Sequence, residues 1–265
     1  MGAEIFDLDR IGGAKTMDSL KSLMLRAGEL ALSHFERGVE VHEKPDRSPV
    51  TQADHEVEAL IRESLLREFP DAEFFGEETG SHGDNSALRF ILDPIDGTRA
   101  FVRKLPTWSI LLGLEVEGEA IAGLAYMPAR QELFVAARDQ GSTCNGRALR
   151  VSEVAKLQDA MVSHGALQQF HTAGLMDALT RLAEATDSAR GFADFEGYRQ
   201  LLLGRVDAMV DPNVKPYDIC APAVLVREAG GRFSSLEGAD TIYGGGALAS
   251  NGRIHDALIA TLRAS

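Results

Sequence analysis

Near residue 73 the recurrence of apolar residues changes from a helical to a strand period, and few layered folds accommodate both in that order. Upstream, Leu20, Leu23, Ala27, Leu30, Ala31 and Phe35 fall at helical spacing, which predicts an amphipathic helix from about Asp18, ended by Gly38. A second helix is expected in "SPVTQADHEVEALIRESLLREFP". Thr51 is its N-cap with Asp54 three residues on, Val57, Leu60, Ile61 and Leu65 share one face, and Pro70 stops it. Between the helices, "VEVHEKPDRSPV" reads as a short hairpin. Downstream, "FIL", "WSILLGLEV", "AIAGLAYM" and "ELFVAA" are short runs joined by turn residues, predicting an antiparallel sheet that lies on the two helices.

The remainder alternates. A strand is expected near "AMVSHG", helices near "GLMDALTRLAEA" and "FEGYRQLLLG", and a strand at "VDAMVDP". A helix through "YDICAPAVLVREAGG", strands at "RFSSL" and "ALASNG" and a helix in "RIHDALIATL" complete an α/β unit. The expected division is a helix-plus-antiparallel-sheet part over residues 1–155 and an α/β part over 156–265, sharing an interface because no linker or repeat separates them. Lys plus Arg number 27 against 40 Asp plus Glu, a net charge of −13 that argues against nucleic acid or an anionic membrane as partner. Two cysteines leave no disulfide framework and favour a reducing compartment. The acidic N-terminal stretch lacks the features of a signal peptide, and no apolar run is long enough to span a bilayer, so a cytoplasmic protein is expected.

One stretch points to chemistry. In "RFILDPIDGTRAF" an apolar strand ends in Asp93 and Asp96, three residues apart around Pro94, followed by Gly97 and Thr98. Two confined carboxylates do not both stay ionised without a cation, because like charges raise each other's pKa. Asp93, Asp96 and the main-chain carbonyl of Ile95 make an all-oxygen claw suited to a hard divalent ion such as Mg²⁺. Gly97 lets the backbone approach a phosphate closely. Taken alone, the same residues also fit a tight turn. Two further segments favour the site: "FFGEETG", where a strand ends in Glu77 and Glu78, and "VKPYDICAPAVLVREAGG", where Asp218 opens an apolar helix that it would also cap.

Together "GEE", "LDPIDGTRAF" and "YDICAPAVLVREAGG" resemble, in order and spacing, the inositol monophosphatase-like family of metal-dependent phosphatases. "SPVTQAD", "GSTCNGRALRVS" with its Asn-Gly turn, and "GGALASNGRIHDAL" extend the likeness along almost the whole chain. The resemblance implies an α/β, layered α+β fold, the αβαβα sandwich shared with fructose-bisphosphatases, and commonly a homodimer. It implies that Glu77, Asp93 and the Ile95 carbonyl hold one Mg²⁺, that Asp93, Asp96 and Asp218 hold a second, and that Asp54 stands near a third, weaker position. Glu77 and Thr98 would orient the attacking water, and Gly97 and Thr98 would bind the phosphate. Ala100 replaces the usual Asn of the motif and Tyr217 the usual Trp before the last ligand; neither change removes a ligand. Glu78 reads better as a solvated or supporting carboxylate.

"RAFVRKLPTW", "GFADFEGY" and "VREAGGRFSSLEG" resemble the histidinol-phosphatase branch. Its substrate carries an ammonium and an imidazole, for which carboxylates are apt partners. By their matching positions the resemblance implies that Asp194 and Asp211 make that contact, although Asp194 also fits a helix N-cap and Asp211 a turn with Pro212. Inositol 1-phosphate, a broad sugar or alcohol phosphate, or a 3′-phosphonucleotide is the alternative substrate; a non-catalytic binding module on the same fold is the alternative of a different class. Other motifs fail. His55-Glu56 lacks a second histidine at zinc spacing, "GGAKT" lacks the P-loop glycine before its lysine, and Cys220 beside Asp218 reads as a packed thiol rather than a nucleophile.

Overall fold

Two helices lead the chain, as their apolar spacing predicts. The computed structural model describes residues 13–38, 40–44, 49–83 and 86–264. Helix α1 (Gly13–Arg37) begins ahead of the expected Asp18, because Thr16 and Met17 are already buried. Gly38, at φ +90°, follows it and donates its N–H to the His34 carbonyl at 3.0 Å. Strands β1 (Val41–Glu43) and β2 (Pro49–Thr51) pair antiparallel as the hairpin reading expects, and its tip lies outside the described residues. Helix α2 (Gln52–Glu68) opens on the predicted capping box. The Asp54 carboxylate accepts the Thr51 N–H at 2.8 Å and hydroxyl at 2.7 Å, and the Thr51 oxygen accepts the Ala53 N–H at 3.2 Å.

The large sheet comprises β3 (Glu73–Gly76), β4 (Gly80–His82), β5 (Leu88–Asp96), β6 (Ser109–Val116), β7 (Glu119–Met127), β8 (Glu132–Ala137), β9 (Ser142–Cys144) and β10 (Arg147–Ala148). Its spatial order is β10-β9-β8-β7-β6-β5-β3-β4. The sheet departs from the expected antiparallel pattern at one pair: β3 runs parallel to β5, with Gly76 beside Leu92. β4 folds back along the outer edge of β3, so the chain re-enters on the other side in the original direction. Both strands therefore end on the same side of the sheet, which brings Glu77 to Asp93. A short helix, α3 (Thr98–Val102), follows β5. Asn145 and Gly146, both at positive φ, form the turn between β9 and β10.

The second sheet contains β11 (Met161–His164), β12 (Ser188–Arg190), β13 (Ala208–Pro212), β14 (Arg232–Ser234) and β15 (Gly246–Ser250), in the order β12-β11-β13-β15-β14. β11 runs parallel to β12 and β13, and β15 is antiparallel to β13 and β14. Its helices are α4 (Leu167–Thr172), α5 (Met176–Ala185), α6 (Asp194–Leu202), α7 (Pro216–Glu228) and α8 (His255–Arg263). β12 and α4 escape the sequence reading because "SAR" and "LQQFHT" are too short and polar to show a period.

Alternation along the strands builds the layers. Phe90 and Leu92 of β5 face α1 and α2, whereas Ile91 faces α6 and α7 with Leu111 and Phe134. Met209 and Ala249 of the second sheet join that middle core, and Val210 and Leu248 face Leu182 of α5 and Leu258 of α8. The result is the αβαβα sandwich. Helix α7 lies very close to the large sheet: a Cβ at Gly113 would strike the Cys220 sulfur, and one at Gly123 would come within 2.5 Å of the Ala221 carbonyl. That approach sets Asp218 over the end of β5. Burial raises the Cys220 thiol pKa, in keeping with a packed thiol. No helix among the described residues is long and apolar enough to cross a membrane.

Candidate active site

Strand β5 breaks its register with β6 between Asp93 and Asp96, where Pro94 interrupts the ladder. The break turns both carboxylates toward one side. Asp93 accepts the Ile95 N–H at 3.0 Å, and the Ile95 carbonyl accepts the Thr98 hydroxyl at 3.0 Å. Gly97, at φ +77°, makes the left-handed step into α3 that a side chain would strain. Asp96 accepts the Ser109 hydroxyl at 2.7 Å and the Phe195 N–H at 3.0 Å, so it ties β5 to the start of α6. Asp218 caps α7 by accepting the Lys215 N–H at 2.6 Å, and its carboxyl also reaches the site.

These pieces wall one cavity of about 120 Å³. Glu77, Asp93, Asp96, Asp194, Asp211 and Asp218 line it, with Ile95, Gly97 and Thr98 at its base. Asp54 is not in the wall. It lies behind Thr98, whose hydroxyl is 3.5 Å from Asp54 Oδ1. Gln169 and Tyr198 also line the cavity and are absent from the sequence reading. Tyr198 falls on the apolar side of α6 and donates to Asp211 at 3.5 Å; Gln169 lies on the unpredicted α4. Tyr217 packs at a tilt against Phe75 with ring centroids 5.8 Å apart, and Ala100 is simply buried. A larger cavity of about 310 Å³ adjoins Arg138 and Arg227, but those arginines are paired with the exposed Glu119 and Asp240, and it lacks the convergent carboxylates.

Burial, then repulsion from Glu77, Asp96 and Asp218, holds Asp93 well above the usual carboxylate range. Asp96 is raised by burial and by Asp194, against the hydrogen bonds from Ser109 and Phe195. Asp211 is raised by burial, then by Asp218 and Asp194. Burial pushes Asp218 up to about 7, although its cap bond to Lys215 opposes the shift. Asp194 and Asp54 are also raised by burial. Among the described residues no lysine or arginine lines the cavity, and Arg99 opposes the shift at Asp194.

The Lys44 ammonium stands at the rim. Lys44 donates to Glu77 at 2.8 Å and Glu78 at 2.7 Å; burial opposes its charge, but the two carboxylates outweigh burial and raise its pKa. Glu78 thus faces Lys44, and its side chain is buried rather than solvated. Among the described residues no three His, Cys, Asp or Glu side chains form a finished metal cage. Lys44, Ser109 and main-chain N–H groups engage oxygens that an ion would take. The donor chemistry nevertheless fits a hard divalent cation: several mutually repelling carboxylates and a main-chain carbonyl surround one polar cavity.

The profile of the "Inositol monophosphatase family" matches residues 15–265. A histidinol-phosphatase of Mycobacterium tuberculosis is 36% identical over 245 residues, covering 90% of this chain and 94% of that protein. The Nus factor SuhB of Escherichia coli K12 is 29% identical over 245 residues, covering 90% of this chain and 92% of that protein. The crystal structure of the extragenic suppressor protein suhB from Bartonella henselae superposes with a TM-score of 0.86 at 28% identity, covering 94% of this chain and 99% of that one.

Proposed function

Because the chain belongs to the inositol monophosphatase family and is a phosphatase, we propose that it hydrolyses histidinol phosphate with Mg²⁺ held in the acidic cavity. The observation that carries this reading is the convergence of six carboxylates from β5, β13, α6, α7 and the end of β3 on a cavity that, among the described residues, neither lysine nor arginine lines. Glu77, Asp93 and the Ile95 carbonyl would hold one ion, and Asp93, Asp96 and Asp218 a second; Asp54 stands near a third position. When bound, the ions supply a water of lowered pKa and neutralise charge on the phosphate and the leaving oxygen.

The chain's own groups do the positioning. The Thr98 hydroxyl donates a hydrogen bond to the Ile95 carbonyl or to Asp54, which leaves its oxygen lone pair to accept a hydrogen bond from the water that Glu77 would help to orient. Gly97 and Thr98 bring main-chain N–H groups to the phosphate, and the tight turn at Gly97 keeps that approach free of a side chain. On the far wall Asp211 is buried with one oxygen lacking a hydrogen-bond partner, and Asp194 lies beside it. An ammonium or imidazolium on the leaving group would satisfy that oxygen by a charge-assisted hydrogen bond. The identity to histidinol-phosphatases supports this assignment.

The test is phosphate release from histidinol phosphate, inositol 1-phosphate and a 3′-phosphonucleotide, with and without Mg²⁺. Expected is an Mg²⁺-dependent preference in kcat/KM for histidinol phosphate. A preference for inositol 1-phosphate would retain the metal reading and discard the role of Asp194 and Asp211. No release from any ester would favour a binding role on this fold.

A further inference from the structure

Helix α2 carries a second buried carboxylate besides Asp54. Glu58 is 0% exposed, and its two oxygens each accept one main-chain N–H: Oε2 that of Glu78 at 2.9 Å, and Oε1 that of Thr79 at 2.8 Å. The preceding N–H, that of Glu77, donates to the Leu92 carbonyl of β5 at 3.1 Å. Three consecutive N–H groups are therefore held by two partners on opposite sides of the turn. On the N-terminal side Gly76 lies so close that a Cβ there would come within 2.5 Å of Glu58 Oε2. Nothing in the phosphatase reading assigns Glu58 a task.

We propose that Glu58 is a positioning residue for Glu77. Its carboxylate fixes the peptide planes after Glu77, so that the Glu77 side chain enters the cavity beside Asp93 while Glu78 turns to Lys44. A buried carboxylate is an expensive way to satisfy two N–H groups, since burial of its charge is costly unless it is fully bonded. What it provides is geometry: a bidentate acceptor defines the orientation of two successive amides, whereas a water or single carbonyl defines one. Partners that orient metal ligands typically govern affinity 10- to 100-fold.

The inference rests on the metal reading above, and Mn²⁺ binding by the whole chain, followed by calorimetry, tests the two separately. Glu58→Gln keeps the size but can accept at only one of the two positions, and Glu58→Asp keeps the charge but shortens the reach. Both are expected to weaken Mn²⁺ binding by about 10- to 100-fold at a temperature where near-ultraviolet circular dichroism shows them folded. Both should regain turnover as Mg²⁺ is raised. A lower melting temperature with unchanged Mn²⁺ affinity would overturn the proposal and leave Glu58 a purely structural residue. Weakening by Gln but not by Asp would also overturn it, because charge rather than position would then be the cause. If Glu58→Gln fails to fold, Glu58→Asp alone decides, by its affinity. Wild-type protein that binds no Mn²⁺ would overturn the metal reading together with this inference; binding unaffected by both variants would overturn this inference alone.

Discussion

The protein gathers wholly or partly buried carboxylates in two neighbouring places and treats them in opposite ways. Around Arg199, Glu132 accepts two guanidinium N–H groups at 2.5 and 2.9 Å, Glu196 accepts a third at 3.2 Å, and Arg130 approaches Glu196 at 3.7 Å. Each charge there has an opposite. In the cavity, six carboxylates share one space that no lysine or arginine among the described residues lines, with Lys44 at the rim and Arg99 acting on Asp194. A single helix serves both: α6 presents Asp194 to the cavity and, within five residues, Glu196 and Arg199 to the ion-pair cluster. The fold can thus neutralise a buried carboxylate where only architecture is at stake. The cavity, one turn away, stays acidic, which is what the proposed cation site requires.

The largest expected effect comes from removing one of the unpaired charges. On the proposed metal reading, Asp93→Asn should lower kcat/KM for the phosphate ester by about a thousand-fold or more, since several kcal/mol of charge stabilisation would be lost with a carboxylate assigned to both ions. The same variant should melt higher than wild type in the presence of EDTA, because one repelling charge is gone. A variant that loses activity and also melts lower in EDTA would mean that the cavity carboxylates are structural like those around Arg199. The second effect is the mirror image. Arg199→Met leaves Glu132 and Glu196 without their shared partner and should cost about 3 kcal/mol or more of stability, read from urea unfolding. Adding Mg²⁺ should not restore it.

Much of this contrast is legible in the sequence, though unevenly. Asp93, Asp96 and Asp218 announce themselves because each interrupts an apolar run, and the Thr51–Asp54 capping box follows from local spacing alone. The parallel pairing of β3 with β5, which joins Glu77 to Asp93, depends on β4 doubling back and has no local signal. Glu58 illustrates a different limit. It sits among Asp54, Glu56 and Glu63 and looks like another solvated charge, yet it lies on the face of Val57, Ile61 and Leu65. A glutamate in an apolar stripe is the one clue available, and what it bonds becomes evident only when the distant turn after β3 is in place. Arg199 hides similarly, because its partner Glu132 is on another element 67 residues away.

The smallest effect separates the two places by pH. Asp218 has its folded pKa raised from 3.8 to about 7, so in metal-free protein its contribution to stability is present below pH 3.8 and is lost as pH rises through about 7. Glu132 is lowered from 4.5, first by its hydrogen bonds from Arg199; its contribution is present above pH 4.5 and is lost as pH falls through its depressed value. Asp218→Asn keeps an acceptor for the cap and removes the titration. In EDTA it should match wild type near pH 4 and melt higher at pH 8, by about 2–4 °C for each kcal/mol in a chain of this size. Glu132→Gln should differ most from wild type at neutral pH, melting lower, and converge on it in acid. Saturating Mg²⁺ should abolish or reverse the advantage of Asp218→Asn at pH 8, because an ion that needs the carboxylate stabilises only the wild type. If Mg²⁺ leaves that advantage intact, the acidity of the cavity is unrelated to a divalent ion, and the distinction between the two buried clusters is one of packing alone.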